Sequence, residues 1–320
     1  MFLCKNGDLY ACVDTNGIIK LNRTSELIWH TDGEDLLHHD FFVDTTGMVY
    51  AIGRRVGIIP EIDPVKEVID DTVVLFDSTG KRIKRFSIYN AFRGTEWFPA
   101  ITKKVRDFVA LTVHDSKIPV ETFHTNTIEV FDGSLSNVSP LLRKGNAVFC
   151  SPVHPCIFII DLERERVVWN WFGPWKGGIH QPTFLPNGNY LLFHNGLSPD
   201  GPEDEASHVF EYAYPEQGPV WQVSGNDPKH KFFSLFSCTA ERLANENTLI
   251  VVSNEGKAIE VTKEGEVVWE FWNPNTVGAD MAGMKGFTNR KDGRIIGTLF
   301  QLERVPRDVH DSWLNPAKEP

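Results

Sequence analysis

Arg166-Val167-Val168-Trp169, Pro219-Val220-Trp221 and Glu266-Val267-Val268-Trp269 decide the reading of the fold. Each closes a pair of short apolar segments joined by a polar turn, and the first segments open at Ile157, Val209 and Ala258. Strand, tight turn, strand is a hairpin signal. The tryptophans recur after 52 and 48 residues, a spacing typical of repeat architectures. A weaker copy runs from Ile18 to Glu26-Leu27-Ile28-Trp29. Two more lack the tryptophan: Val73-Val74-Leu75-Phe76-Asp77 with the turn Ser78-Thr79-Gly80, and Thr127-Ile128-Glu129-Val130-Phe131-Asp132 with Gly133-Ser134. Six outer hairpins result.

A second kind of hairpin lies between them. Leu185-Pro186-Asn187-Gly188-Asn189-Tyr190-Leu191-Leu192-Phe193 is its clearest form, with relatives at Leu243–Val251 and Val43–Tyr50 and degenerate members at Val105–Leu111 and Ala147–Cys150. One hairpin of each kind makes a four-stranded blade. The chain therefore reads as all-β, a six-bladed β-propeller in a single domain spanning 1–320. One blade is closed by both termini, through Asn6–Val13 and the tail strand near Arg294–Leu299. The repeated tryptophans are read as packing between neighbouring blades. No long amphipathic helix and no Gly-rich phosphate loop is expected.

Composition narrows the partners. Acidic residues outnumber basic ones 43 to 32, and a net charge of −11 without a strong basic cluster argues against nucleic acid. The five widely spaced cysteines, with no CxxC pair, fit reduced thiols better than a disulfide framework. The first residues carry no signal-peptide pattern, and no apolar run approaches spanning length. A cytoplasmic protein with no membrane partner is expected, acting on a small aromatic or anionic molecule.

Aligning the repeats on their inner turns orders the histidines. His39 and His180 lie eight residues before Gly47 and Gly188, and the same offset falls on Cys238 and Lys285. These positions enter the innermost strands equivalently. His114 and His194 end second strands, while His124 and His208 precede third strands, so antiparallel order assigns six histidines to one face of the disc. His30, His38, His154, His230 and His310 read as packing or surface residues. A neutral imidazole serves as nucleophile, general base or metal ligand. With no H-E-x-x-H and no Cys/His zinc spacing, a metal site would draw on several blades, from His39, His114, His124, His180, His194 and His208.

The passage His180-Gln181-Pro182-Thr183-Phe184-Leu185-Pro186-Asn187-Gly188-Asn189, continuing to Phe193-His194-Asn195-Gly196, resembles the PAPS-independent arylsulfotransferase family. So do His38-His39-Asp40 and Arg242–Ile250, with His124-Thr125-Asn126-Thr127-Ile128 a shorter match. The resemblance covers most of residues 18 to 300. It implies a propeller that moves a sulfuryl group from a phenolic sulfate to a phenol through a channel histidine, with no cofactor. His180 best matches the acceptor, His39 a second catalytic histidine and His124 a third. His208, His194 and Lys285 are the expected substrate-binding groups. This chain departs from the family where His194 replaces an aspartate and His208 an arginine. Both changes introduce histidine, which keeps two other readings open: a metal-dependent enzyme using a transition metal, and a non-catalytic ligand-binding propeller.

Overall fold

The structure is a computed structural model that describes residues 1–13, 17–112, 118–198, 201–202, 206–215, 218–277 and 294–305. Two compact units are present, one built on Met1–Asn170 and the other on Trp171–Arg304.

The first unit contains three four-stranded antiparallel blades. Blade 1 comprises β1 (Phe2–Leu3), β2 (Leu9–Val13), β3 (Gly17–Leu21) and β4 (Leu27–His30). Blade 2 comprises β5 (Phe41–Val43), β6 (Val49–Gly57), β7 (Val68–Phe76) and β8 (Arg82–Ser87). Two helices follow, α1 (Ile88–Ala91) and α2 (Phe98–Thr112), then β9 (Val120–Glu121), which pairs in parallel with β7. Blade 3 comprises β10 (Thr127–Val130), β11 (Asn146–Ser151), β12 (Cys156–Asp161) and β13 (Arg166–Trp171).

The second unit contains two more blades. Blade 4 is built from β14 (Ile179–Phe184) and β15 (Tyr190–His194), then, past a small ribbon of β16 (Leu197–Ser198) and β17 (Gly201–Pro202), β18 (His208–Tyr212) and β19 (Pro219–Ser224). Blade 5 comprises β20 (Thr239–Arg242), β21 (Thr248–Val252), β22 (Lys257–Val261) and β23 (Val267–Trp272). A two-stranded ribbon of β24 (Thr276–Val277) and β25 (Ile295–Ile296) follows.

Among the described residues the fold is thus an all-β propeller with five blades, not six. Three misreadings produce the extra one. Thr127–Asp132 is the innermost strand of the blade that ends at Trp169, so two apparent outer hairpins collapse into one unit. Val105–Leu111 belongs to α2, where Ile101, Val105 and Val109 recur every fourth residue on one buried face. A window starting at Val105 cuts that period in half and leaves a strand-like apolar run. Blade 1 also needs no help from the chain end: Phe2 and Leu3 pair with Tyr10 and Leu9, while Ile295 and Ile296 pair with Val277 and Thr276.

The second and third strands of several blades are buried on both faces, as in β11, β12, β15, β21 and β22. Neighbouring blades within a unit explain this: Leu191, Phe193 and Val209 of blade 4 pack with Ala240, Ile250 and Val252 of blade 5. The tryptophans act as the repeat suggested. Trp29 Nε1 of blade 1 donates to Ser78 O at 3.1 Å in the outer turn of blade 2, and Trp221 Nε1 of blade 4 donates to Lys263 O at 2.7 Å in blade 5. A Cβ on Gly80 would stand 2.6 Å from the Trp29 ring, so that turn admits only glycine. All five cysteines are free thiols. No helix among the described residues is long and apolar enough to cross a membrane.

Candidate functional site

The inner strands of blades 2 and 4 both begin at a kink. His39 has φ of +59°, and Asp40 N donates to His38 O at 2.8 Å across it, closing a γ-turn of the strained, positive-φ kind. In blade 4 the β14–β15 ladder slips between His180 and Thr183, with Gln181 at φ +48°. Pro182 explains the slip, because it has no N–H to give the ladder. The residue after each histidine ties its blade to the next: Asp40 Oδ2 accepts from Ile128 N at 3.0 Å, and Gln181 Oε1 accepts from Ala240 N at 3.1 Å. His39 and His180 therefore occupy one register, as the shared offset suggested.

In blade 4, His180 Nδ1 lies 2.7 Å from Asn195 Oδ1. The Asn195 amide is fixed because its Nδ2 donates to Ser234 O at 2.9 Å and Ser237 O at 3.3 Å. Its oxygen must then face His180, which donates from Nδ1. A neutral His180 keeps its lone pair on Nε2. Asn195 is fully buried, and its backbone oxygen accepts from Ser207 Oγ at 3.2 Å, so the support is rigid.

In blade 2 the same atom is held differently. His39 Nδ1 lies 2.6 Å from His38 Nδ1, so one ring donates and the other accepts. His38 Nε2 is 3.8 Å from Asp71 Oδ1, beyond a hydrogen bond but close enough for the carboxylate to favour a proton on Nε2. His38 then accepts at Nδ1, His39 donates from Nδ1, and His39 also keeps Nε2 as a lone pair. Burial, the neighbouring His39 and Arg54 hold His38 down to about 2, so it stays neutral. His39 has a solvent-facing edge, yet partial burial with His124 and Arg54 lowers it to about 4. Burial pushes the Asp71 carboxyl up to about 6.

The His39 ring meets that of His124 edge-on at 4.7 Å between centroids. His124, also at positive φ (+52°), hydrogen-bonds Glu121 through Nδ1. Glu121 arrives because β9 pairs with β7, Glu121 opposite Ile69. Its other oxygen meets Arg54 Nη2 at 2.5 Å. Burial alone would raise Glu121, but the His124 hydrogen bond and the charges of His124 and Arg54 hold it below its ordinary value. The group can hold an anion and move a proton. Arg54 supplies a fixed cation, and its Nε is buried without a hydrogen-bond partner among the described residues.

The expected residues thus divide. His39 and His124 come together in the first unit, and His180 stands in the second. His194 and His208 are paired across β15 and β18, and the His208 ring stacks on both His194 and Phe210, while His194 meets Phe210 at a tilt. Since His180 pairs with Phe193, strand alternation puts His194 and His208 on the opposite side of the blade 4 sheet. His180, His194 and His208 nonetheless share one strand end of blade 4, as the one-face assignment expected, but the latter two turn their rings to the other side of the sheet, into an aromatic stack. His114 and Lys285 lie outside the described residues. Among the described residues, no three His, Cys, Asp or Glu side chains are arranged to hold a metal ion. His154 is the packing residue expected, buried with Nε2 on Thr122 O at 2.7 Å. His38 is not: it belongs to the site. Arg54, Asp71, Glu121 and Asn195 were missed as well. The facing pairs Arg54-Arg55 and Asp70-Asp71 were the available signal for the first two.

The arylsulfotransferase (ASST) family model matches residues 5–274. No curated protein matches the chain. Similar solved structures include the propeller of Dos1, at 9% identity and a TM-score of 0.48, covering 89% of this chain and 59% of that one. A catalytically inactive virginiamycin B lyase from Staphylococcus aureus with quinupristin gives 11% identity, a TM-score of 0.46 and coverage of 86% and 69%. A streptogramin B lyase gives 9%, 0.45, 85% and 67%. The chain spans 59% of the length of the first of these structures.

Proposed function

The chain belongs to the arylsulfotransferase family, and we propose that it moves a sulfuryl group from a phenolic sulfate to an acceptor phenol through His180. The observation that carries the reading is the Asn195 lock, which leaves His180 Nε2 as a lone pair on a fixed ring. In the first step Nε2 attacks sulfur, the S–O bond to the phenol breaks, and the phenolate leaves with that electron pair. In the second, the acceptor phenol loses its proton and attacks the sulfur of N-sulfohistidine, returning His180 to its neutral form. By the resemblance, His39 is the second catalytic histidine and takes the acceptor's proton; held near 4, its Nε2 is unprotonated at neutral pH. Within the first unit, Arg54 beside His39 suits the charge of an oxyanion.

The test is phenol release from an aryl sulfate, with and without an acceptor phenol, by wild type, His180→Ala and His39→Ala. Acceptor-dependent release by wild type and its loss in His180→Ala support the reading. Undiminished release by a folded His180→Ala protein would sink it.

A further inference from the structure

The β6–β7 ladder carries two arginine–aspartate pairs on opposite faces: Arg54 opposite Asp71, beside His39, and Arg55 opposite Asp70. The second pair opens into a cleft of about 450 Å³, lined also by Thr72, Arg85, Ser87 and Arg164. Strand alternation explains the set, since Asp70 and Thr72 share a face of β7, and Thr72 pairs with Ser87, two residues beyond Arg85 on β8. Three guanidinium groups converge here on a protein of net charge −11. Glu165, also at the rim, is spoken for by Lys84 at 3.0 Å.

Two details point to a ligand. Asp70 Oδ1 and Thr72 Oγ1 are buried and have no hydrogen-bond partner among the described residues. Such groups are costly unless something completes them. Burial pushes the Asp70 carboxyl up to about 7, so near neutrality a large share of it is a hydrogen-bond donor that does not repel an anion. Arg85 is held by Asp35 at 2.8 Å, and Arg164 lies 3.6 Å from Asp161, which leaves their remaining N–H groups for an oxyanion. The space exceeds what a bare tetrahedral ion fills.

We propose that this cleft binds a small organic phosphate or sulfate ester, its oxyanion on Arg55 and Arg164 and its remaining oxygens on Thr72 and Asp70. The site lies on the face of the ladder turned away from His39 and does not depend on the sulfuryl-transfer reading.

Isothermal titration at constant ionic strength, with chloride as background anion, tests it using phenyl phosphate and inorganic phosphate. Wild type and His180→Ala are expected to bind phenyl phosphate alike. Arg55→Ala/Arg164→Ala, altered only at exposed positions, is expected to bind at least tenfold more weakly while keeping wild-type turnover. Thr72→Val, which keeps shape and removes one donor, should weaken binding severalfold. Tighter binding of phenyl phosphate than of inorganic phosphate supports an ester. Tighter inorganic phosphate overturns the ester in favour of a free ion. Equal affinity of the double-arginine variant and wild type overturns the site itself, as does a wild type that binds neither probe. A wild type that binds phenyl phosphate but transfers no sulfuryl group would count against the proposed role of His180 and leave the cleft standing.

Discussion

Blades 2 and 4 place a histidine at the same register and engage the same ring atom, yet by different chemistry. In blade 4 the partner of Nδ1 is a carboxamide, pinned by two backbone carbonyls and unable to titrate. In blade 2 it is a second imidazole, backed by a fully buried carboxyl that burial pushes up to about 6. The amide does not titrate, so whenever His180 is neutral its proton sits on Nδ1. The imidazole–carboxylate pair fixes the His39 tautomer only while Asp71 is ionised and His38 neutral. A repeat can therefore reproduce a backbone position while each blade tunes its histidine separately. The fixed lock suits a nucleophile that must always present a lone pair, and the titratable one suits a proton carrier.

The largest expected effect separates the two histidines by role. Removing a nucleophile should cost about 10⁴-fold or more in kcat, and losing a general base about 10²–10⁴-fold. His180→Ala is thus expected to be inactive in both half-reactions. His39→Ala should still release some phenol in the first and stall in the second. Equal and total loss of both half-reactions in each variant would erase the division of labour.

The locks come next. Asn195→Ala frees the His180 ring and should lower kcat on the order of 10²-fold through the wrong tautomer. Asn195→Asp keeps an acceptor for Nδ1 and is expected to recover part of that loss. His38→Asn, whose amide oxygen can replace the imidazole as acceptor, should retain more activity than His38→Phe. If the conservative and disruptive variants behave alike, the locks only pack.

A stability measurement sharpens the contrast further. Asp71 has a raised folded-state value, so it contributes stability that is present below its unfolded value and lost as pH rises through about 6. Asp71→Asn removes that dependence. Relative to wild type, its stability should fall by about 3 kcal/mol between pH 7 and pH 4, following 1.36 kcal/mol per unit. Denaturant melts across this range would show the change. Asn195→Ala should cost about 1–3 kcal/mol, from carbonyls left unpaired, and equally at both ends of the range.

The smallest effect is expected on the far side of blade 4. His208→Phe keeps the stack with His194 and Phe210 and should leave kcat/KM within about threefold of wild type, as surface changes away from a site do. A hundredfold loss would return His208 to the substrate.

The blades were legible because their tryptophans and polar turns recur in the sequence, and each contact they make is a local staple to the next repeat. The register of His39 and His180 was legible for the same reason. The helix over Phe98–Thr112 was not, since its apolar period straddled a window already assigned to a hairpin. The partners of the histidines were hidden for another reason. Asp71 reaches His38 only through the blade 2 ladder, and Glu121 reaches His124 through a parallel pairing that no local pattern announces. Asn195 stood inside the very motif that was read, but an amide reveals its role only when the acceptors of its N–H groups are known.

The central claim is that His180 Nε2 accepts the sulfuryl group. It is tested most directly by incubating the protein with an aryl sulfate and no acceptor, quenching in alkali, and mapping the adduct by peptide mass spectrometry. One sulfuryl group on the peptide holding His180, discharged on adding a phenol and absent from His180→Ala, is the result expected. Acceptor-dependent turnover with the sulfuryl group on His39, or with no adduct under any quench, would contradict it.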